Sequence, residues 1–194
     1  ALTLSSPTLL QAIFGNKMLF FGLMIAELAL VIALSAAINR IGASTATLMF
    51  LLYSALNGVT FAAIFVVYTQ SSIASTFLIT AGTFAAMSLY GVATKRDLTG
   101  LGSFMFMGLV GIIIASLVNI FMQSAMITWV VSYVGVLVFV GLTAYDTQKL
   151  KRIGQQGFAD GASLQKAAIL GALTLYLDFI NLFLMLLRIL GDRR

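Results

Sequence analysis

Residues 125–150 read AMITWVVSYVGVLVFVGLTAYDTQKL, an apolar run that ends in Tyr145-Asp146 and the cation Lys149. A helix rises about 1.5 Å per residue, so about 20 apolar residues cross the roughly 30 Å of bilayer hydrocarbon. This run is long enough, and it carries a carboxyl near one end, where hydrocarbon would penalise an unpaired charge.

The same reading extends outward in both directions. Six apolar runs emerge: Lys17 to Asn39, Ser44 to Tyr68, Ser72 to Ala93, Leu101 to Met122, Ala125 to Leu150 and Leu164 to Leu190. Short connections such as Thr69 to Ser71 and Gln123 to Ser124 make sequence neighbours antiparallel neighbours in space. The chain is therefore expected to be an all-α polytopic membrane protein with six spans. Residues 16–194 are expected to form a single transmembrane helical domain, and residues 1–15, which hold the single proline Pro7, to be a truncated N-terminal segment or external loop. No charged n-region with a cleavage site marks a signal peptide.

Composition agrees. Of 194 residues, 61% are hydrophobic and 9% charged, against roughly 25% charged in soluble domains. Mean hydropathy is +1.07. There is no cysteine and no histidine, which excludes disulfides, thiolate nucleophiles and most zinc, copper or haem ligation. No cofactor is expected, and acid–base work falls to carboxylates. The net charge of +5 sits at the ends of apolar runs rather than in a patch, so it reads as topology and not as nucleic-acid binding. Arg40, Lys95-Arg96-Asp97 and the loop with Lys149, Lys151, Arg152 and Lys166 share one side, which the positive-inside rule makes cytoplasmic. The basic tail Arg193-Arg194 fits the other side poorly. A last segment that enters and returns is the competing reading.

Small residues at helix-packing spacing, Gly82 with Ala86 and Gly111 with Ala115, read as close approaches of backbones. Trp129 with Tyr133 reads as an interface anchor, and the Phe and Met residues as lipid-facing or core filler.

Three carboxyls lie within apolar runs: Glu27, Asp146 and Asp178. Arg188 follows Asp178 by ten residues and is a candidate partner for Glu27, the pair reading as more structural than functional. Arg40 either snorkels into headgroups or reaches toward the aspartates. In an unbroken last helix from Leu164, Asp178 would lie roughly 21 Å deep, beyond the reach of Asp146 one turn from its own helix end. Gly171 interrupts the run, so a short interfacial helix followed by a span from about Ala172 brings the two carboxyls level. In contact they cannot both ionise cheaply, so they share a proton and titrate as a coupled pair. Such a pair is a latch. With one proton it pins two helices; with both groups charged it repels and draws in water or an oxygen-seeking cation such as Ca²⁺, for which Asp146 and Asp178 would line the path.

The stretches Ala144-Tyr145-Asp146-Thr147-Gln148-Lys149 and Leu173-Thr174-Leu175-Tyr176-Leu177-Asp178-Phe179-Ile180-Asn181-Leu182-Phe183, with GVATKRD at residues 91–97 and SALNG at 54–58, resemble the Bax inhibitor-1 family, in particular its bacterial inner-membrane members. The resemblance runs from about Asn16 to Arg194. It implies a seven-helix fold with the last helix surrounded by the other six, the first being missing here, and a pH-dependent Ca²⁺ leak gated by a di-aspartyl pair, by motif position Asp146 and Asp178. It also implies Glu27 against Arg188, and Arg40 near the aspartates.

Expected partners are thus the bilayer, calcium ions and, in a second reading, a membrane quality-control protease or stress pathway that the protein regulates without transport. No enzymatic activity is expected. Two aspartates on successive helices superficially match an intramembrane aspartyl protease, but residues 175–178 read LYLD where such proteases need Gly-x-Gly-Asp. A coupled antiporter is disfavoured because no pair of discontinuous helices marks inverted repeats.

Overall fold

The computed structural model describes residues 17–38, 40–158 and 160–194; the expectation for residues 1–15 and the end of the first run at Asn39 lie outside them. Seven helices follow in order among the described residues: α1 Lys17–Ala37, α2 Ala43–Thr60, α3 Ala62–Val67, α4 Gln70–Ala93, α5 Thr99–Met122, α6 Ala125–Gln155 and α7 Gly161–Leu190. Five stretches are long and apolar enough to cross a membrane: α2 with α3 as Ala43–Val67, then α4, α5, α6 and α7. The apolar part of α1, Gly22–Ala37, is shorter. The all-α polytopic class holds.

The chain divides into two compact units. The first holds α1 to α3, residues 158–170 and the tail 193–194. Here α2 gives way to α3 at Phe61. Thr60 Oγ1 bonds back to the Leu56 carbonyl at 3.2 Å, and Ile64 N–H bonds to Phe61 O at 3.0 Å, one residue short of helical spacing. Such back-bonding hydroxyls bend helices. The tail closes on this unit through Arg194 N–H to Val67 O at 3.0 Å and an antiparallel bridge between Arg193 and Tyr68. The basic tail therefore meets the chain just after α3.

The second unit holds residues 70–157 and 171–192. Its core joins Ile112 of α5, Val131, Val138, Phe139 and Leu142 of α6, and Leu182 and Met185 of α7. On the α4 side, Phe179 packs edge-on against Phe77 and Phe84 with ring centroids 5.5 and 5.4 Å away. The α5–α6 turn is tight. Gln123 takes the left-handed conformation (φ 50°) that lets its N–H cap α5 on Asn119 O, and Asn119 then binds Ser124 N–H and Thr128 Oγ1, both at 2.8 Å.

Two expectations need correcting. The last segment is one continuous helix from Gly161 to Leu190, so neither the interruption at Gly171 nor the segment that enters and returns is found. Gly171 is a contact point instead: a methyl there would come within 2.8 Å of the Leu150 side chain. A helix tolerates glycine when a neighbour needs the space. The packing glycines also differ. Gly82 and Gly111 face open space, whereas Gly91, Gly102, Gly108, Gly135 and Gly141 carry the close approaches to side chains or backbone of neighbouring helices.

Candidate functional site

Asp146 and Asp178 meet: their carboxyl groups form a side-chain hydrogen bond between α6 and α7. A hydrogen bond between two carboxyls requires a proton on one of them. The contact arises without a break in α7; α6 continues nine residues past Asp146 to Gln155, about 13 Å rather than one turn, which makes up much of the difference in depth. With Gly171 against Leu150 and Asp178 against Asp146, the two helices pair antiparallel along this stretch.

Asp178 is 5% exposed, and Asp146 is half-buried. Among the described residues, Asp178 Oδ2, Thr147 Oγ1 and Ser88 Oγ are buried polar atoms without a hydrogen-bond partner. Unpaired oxygens of this kind are costly in an apolar interior and favour a water or a cation. Lys149, one turn beyond Asp146, is the cation whose field reaches that carboxyl; its Nζ lies 5.9 Å from the centroid of the Tyr145 ring. Asn181, the motif residue one turn past Asp178, bonds back to Leu177 O at 2.8 Å.

The helix bearing Asp146 is fixed by contacts unnoticed in the sequence. A methyl at Gly91 of α4 would strike the Ala144 carbonyl oxygen and come within 3.1 Å of Thr147 Cβ. One at Gly102 of α5 would come within 2.5 Å of the Tyr145 ring. One turn on, Gln148 Oε1 accepts from Leu98 N–H at 3.0 Å while its Nε2 donates to Arg96 O at 2.8 Å. Lys151 Nζ caps Val92 O at 2.7 Å. Arg152 Nη2 donates to Asp97 Oδ1 and Gln148 Oε1, both at 2.8 Å. Asp97 in turn accepts from Thr99 Oγ1 at 2.7 Å and Thr99 N–H at 3.0 Å, opening α5. These bonds, foremost the Thr99 hydroxyl, hold the exposed Asp97 carboxyl down to about 2. The stretches 91–97 and 144–149, far apart in sequence, are thus two sides of one contact. The signal for it was present: Gln148, Lys151 and Arg152 lie at i, i+3 and i+4, on one helix face.

The remaining predicted residues are placed as follows. Glu27, in the first unit, accepts a hydrogen bond from Thr60 Oγ1. Arg40 is exposed in the turn after α1. Arg188 lies in the last turn of α7, exposed, in the second unit. Among the described residues no group of three or more acidic, cysteine or histidine side chains is arranged to hold a metal. A Ca²⁺ at the aspartates would thus draw on two carboxylates, with hydroxyls, carbonyls or water for the rest.

Apolar helices long enough to span a bilayer, with a carboxyl pair between the last two, define a multi-pass membrane protein. The chain belongs to the Bax inhibitor-1 family: the family model described as "Inhibitor of apoptosis-promoting Bax1" matches residues 1–194. It is 59% identical over 191 residues to the inner membrane protein YbhL of Escherichia coli K12, covering 98% of this chain and 82% of that one. An uncharacterized protein of Borreliella burgdorferi is 50% identical over 192 residues, 99% of this chain and 83% of the relative. An uncharacterized membrane protein of Streptococcus pyogenes serotype M1 is 44% identical over 183 residues, 94% and 79% respectively. This is a multi-pass protein of the bacterial inner membrane.

Proposed function

We propose that this protein is a passive, proton-operated cation leak, with Asp146 and Asp178 as its gate and Ca²⁺ as its passenger. The observation that carries the reading is the hydrogen bond between the two carboxyls, one of them 5% exposed, in a membrane-spanning helix pair. The paired state holds a proton that the separated, doubly charged state lacks. Acid therefore favours the pinned α6–α7 pair, and rising pH releases it. Once apart, two carboxylates offer the hard oxygens that Ca²⁺ prefers, with carbonyls or water completing the shell. No catalytic step is assigned to any residue, and no cofactor is needed. Glu27, Arg188 and Arg40 are assigned supporting electrostatic roles.

Purified protein in liposomes loaded with a Ca²⁺ dye tests this. Wild type is expected to show pH-dependent flux, and Asp146→Asn and Asp178→Asn to lose that dependence, because an amide donates the hydrogen bond at every pH. An unchanged pH profile in both variants would remove the mechanism. A protein that moves no cation at any pH and retains a membrane protease through purification would belong to the partner-binding class instead.

A further inference from the structure

The α4–α5 turn and the end of α6 gather cations at one end of the second unit. Lys95 and Arg96 are exposed in the turn, and Lys151 and Arg152 are exposed on α6. The bonds from Gln148 to Arg96 O, from Lys151 to Val92 O and from Arg152 to Asp97 hold the turn against α6, so these four cations share one rim. Asp97 is the one acid in the turn. It is already engaged by Arg152 and Thr99, while the side chains of Lys95 and Arg96 have no hydrogen bond or ion pair among the described residues. Next to the rim, the last turns of α4 expose Leu89 (69%), Tyr90 (44%) and Val92 (44%), an apolar wall.

We propose that this rim is a headgroup site for an anionic phospholipid of the cytoplasmic leaflet. Its phosphate lies on Lys95 and Arg96 and its chains lie along the exposed end of α4. Charge complementarity selects the occupant. Four cations against one internally paired acid attract a phosphate, and the adjoining apolar wall suits an acyl chain rather than a soluble anion. A headgroup drawn to Arg152 would compete with Asp97 for that guanidinium, so an occupied site bears on the turn that braces α6 one turn beyond Asp146. Lys95 and Arg96 are the residues to test, because neither side chain takes part in the clamp.

The test is native mass spectrometry of protein released from nanodiscs of phosphatidylcholine mixed with phosphatidylglycerol. Wild type is expected to retain phosphatidylglycerol over phosphatidylcholine, and Lys95→Gln/Arg96→Gln to lose that preference by roughly 30-fold, about fivefold for each surface cation. Equal retention of the two lipids by wild type would overturn the proposal, as would a double variant that keeps the wild-type preference. Displacement of the lipid by millimolar inorganic phosphate would also overturn it, since the rim would then be a site for a free anion. Unchanged thermal unfolding of the double variant separates lost binding from lost folding.

Discussion

Replacing Gln148 by leucine keeps the side-chain volume near constant and removes the group that bonds both Arg96 O and Leu98 N–H of the α4–α5 turn. Gln148 is 6% exposed and Leu98 5%, so the Leu98 N–H that Gln148 Oε1 accepts at 3.0 Å is left unpaired away from water, at about 1–3 kcal/mol. The Arg96 carbonyl belongs to an exposed residue and turns to solvent, forfeiting only the net value of one bond, about 1 kcal/mol. Gln148→Leu should therefore destabilise by about 2–4 kcal/mol. Gln148→Glu is the control. It keeps the acceptor for Leu98 N–H and for Arg152, whose charge it then pairs, and sets an oxygen against Arg96 O, which turns to solvent, so it should cost less than Gln148→Leu. Reversible unfolding in detergent can be followed by the fluorescence of Trp129, the single tryptophan and a residue of the same helix. If Gln148→Leu unfolds within about 0.5 kcal/mol of wild type, the range of an uninvolved surface site, the clamp is not what fixes the end of α6. A Glu variant weaker than the Leu variant would refute the assignment of acceptor and donor.

Two further outcomes follow from the same geometry. Gly91→Ala drives a methyl into the Ala144 backbone carbonyl and Thr147 Cβ and should cost about 1–3 kcal/mol, whereas Gly82→Ala enters open space and should be neutral or stabilising by up to about 1 kcal/mol; thermal unfolding of the pair checks the contrast, and equal effects would contradict it. Asp97 is held to about 2, below its ordinary value, so its contribution is present above about pH 4 and fades as pH falls toward 2. Wild type and Asp97→Asn should differ in stability at neutral pH and converge in acid, and curves that stay parallel would count against the Thr99 and Arg152 contacts.

The helices and the membrane were legible because a run of apolar residues signals a span by length alone. The pairing of Asp146 with Asp178 was also legible, since intramembrane carboxyls have few ways to be satisfied. The route proposed to it was not. Gly171 reads as a break that brings the carboxyls level, yet α7 is unbroken and α6 runs past the end of its apolar stretch. The polar residues after Leu150 read as loop, whereas Lys151, Arg152 and Gln155 continue the helix because the first two find partners on the α4–α5 turn. Tertiary contacts overrode a composition that marks a membrane boundary, not a helix boundary. The choice of packing glycines failed for a related reason: small residues spaced by four occur on several faces, and nothing local distinguishes Gly82, in open space, from Gly91, against Ala144.

Underlying both misses is a property of the solvent. In water a helix declares its buried face by apolar periodicity; in a bilayer the lipid-facing side is as apolar as the core, and the signal vanishes. Helix α5 shows the consequence, with Phe104, Phe106, Met107, Ile113, Ile114 and Phe121 all exposed. The buried face of α6 is instead marked by what lipid would not accept or what close packing demands: Ser132, Gly135, Gly141, Thr143, Ala144, Thr147 and Gln148. Seven of the eleven buried residues of α6 are thus small or polar, the other four being Val131, Val138, Phe139 and Leu142, and Asp146 follows Thr143 by three residues, on the same side of the helix. The carboxyl of Asp146 therefore joins a helix whose buried positions already admit hydroxyl, amide and backbone polar groups, and this is the mark by which such a helix can be told from a lipid-facing one.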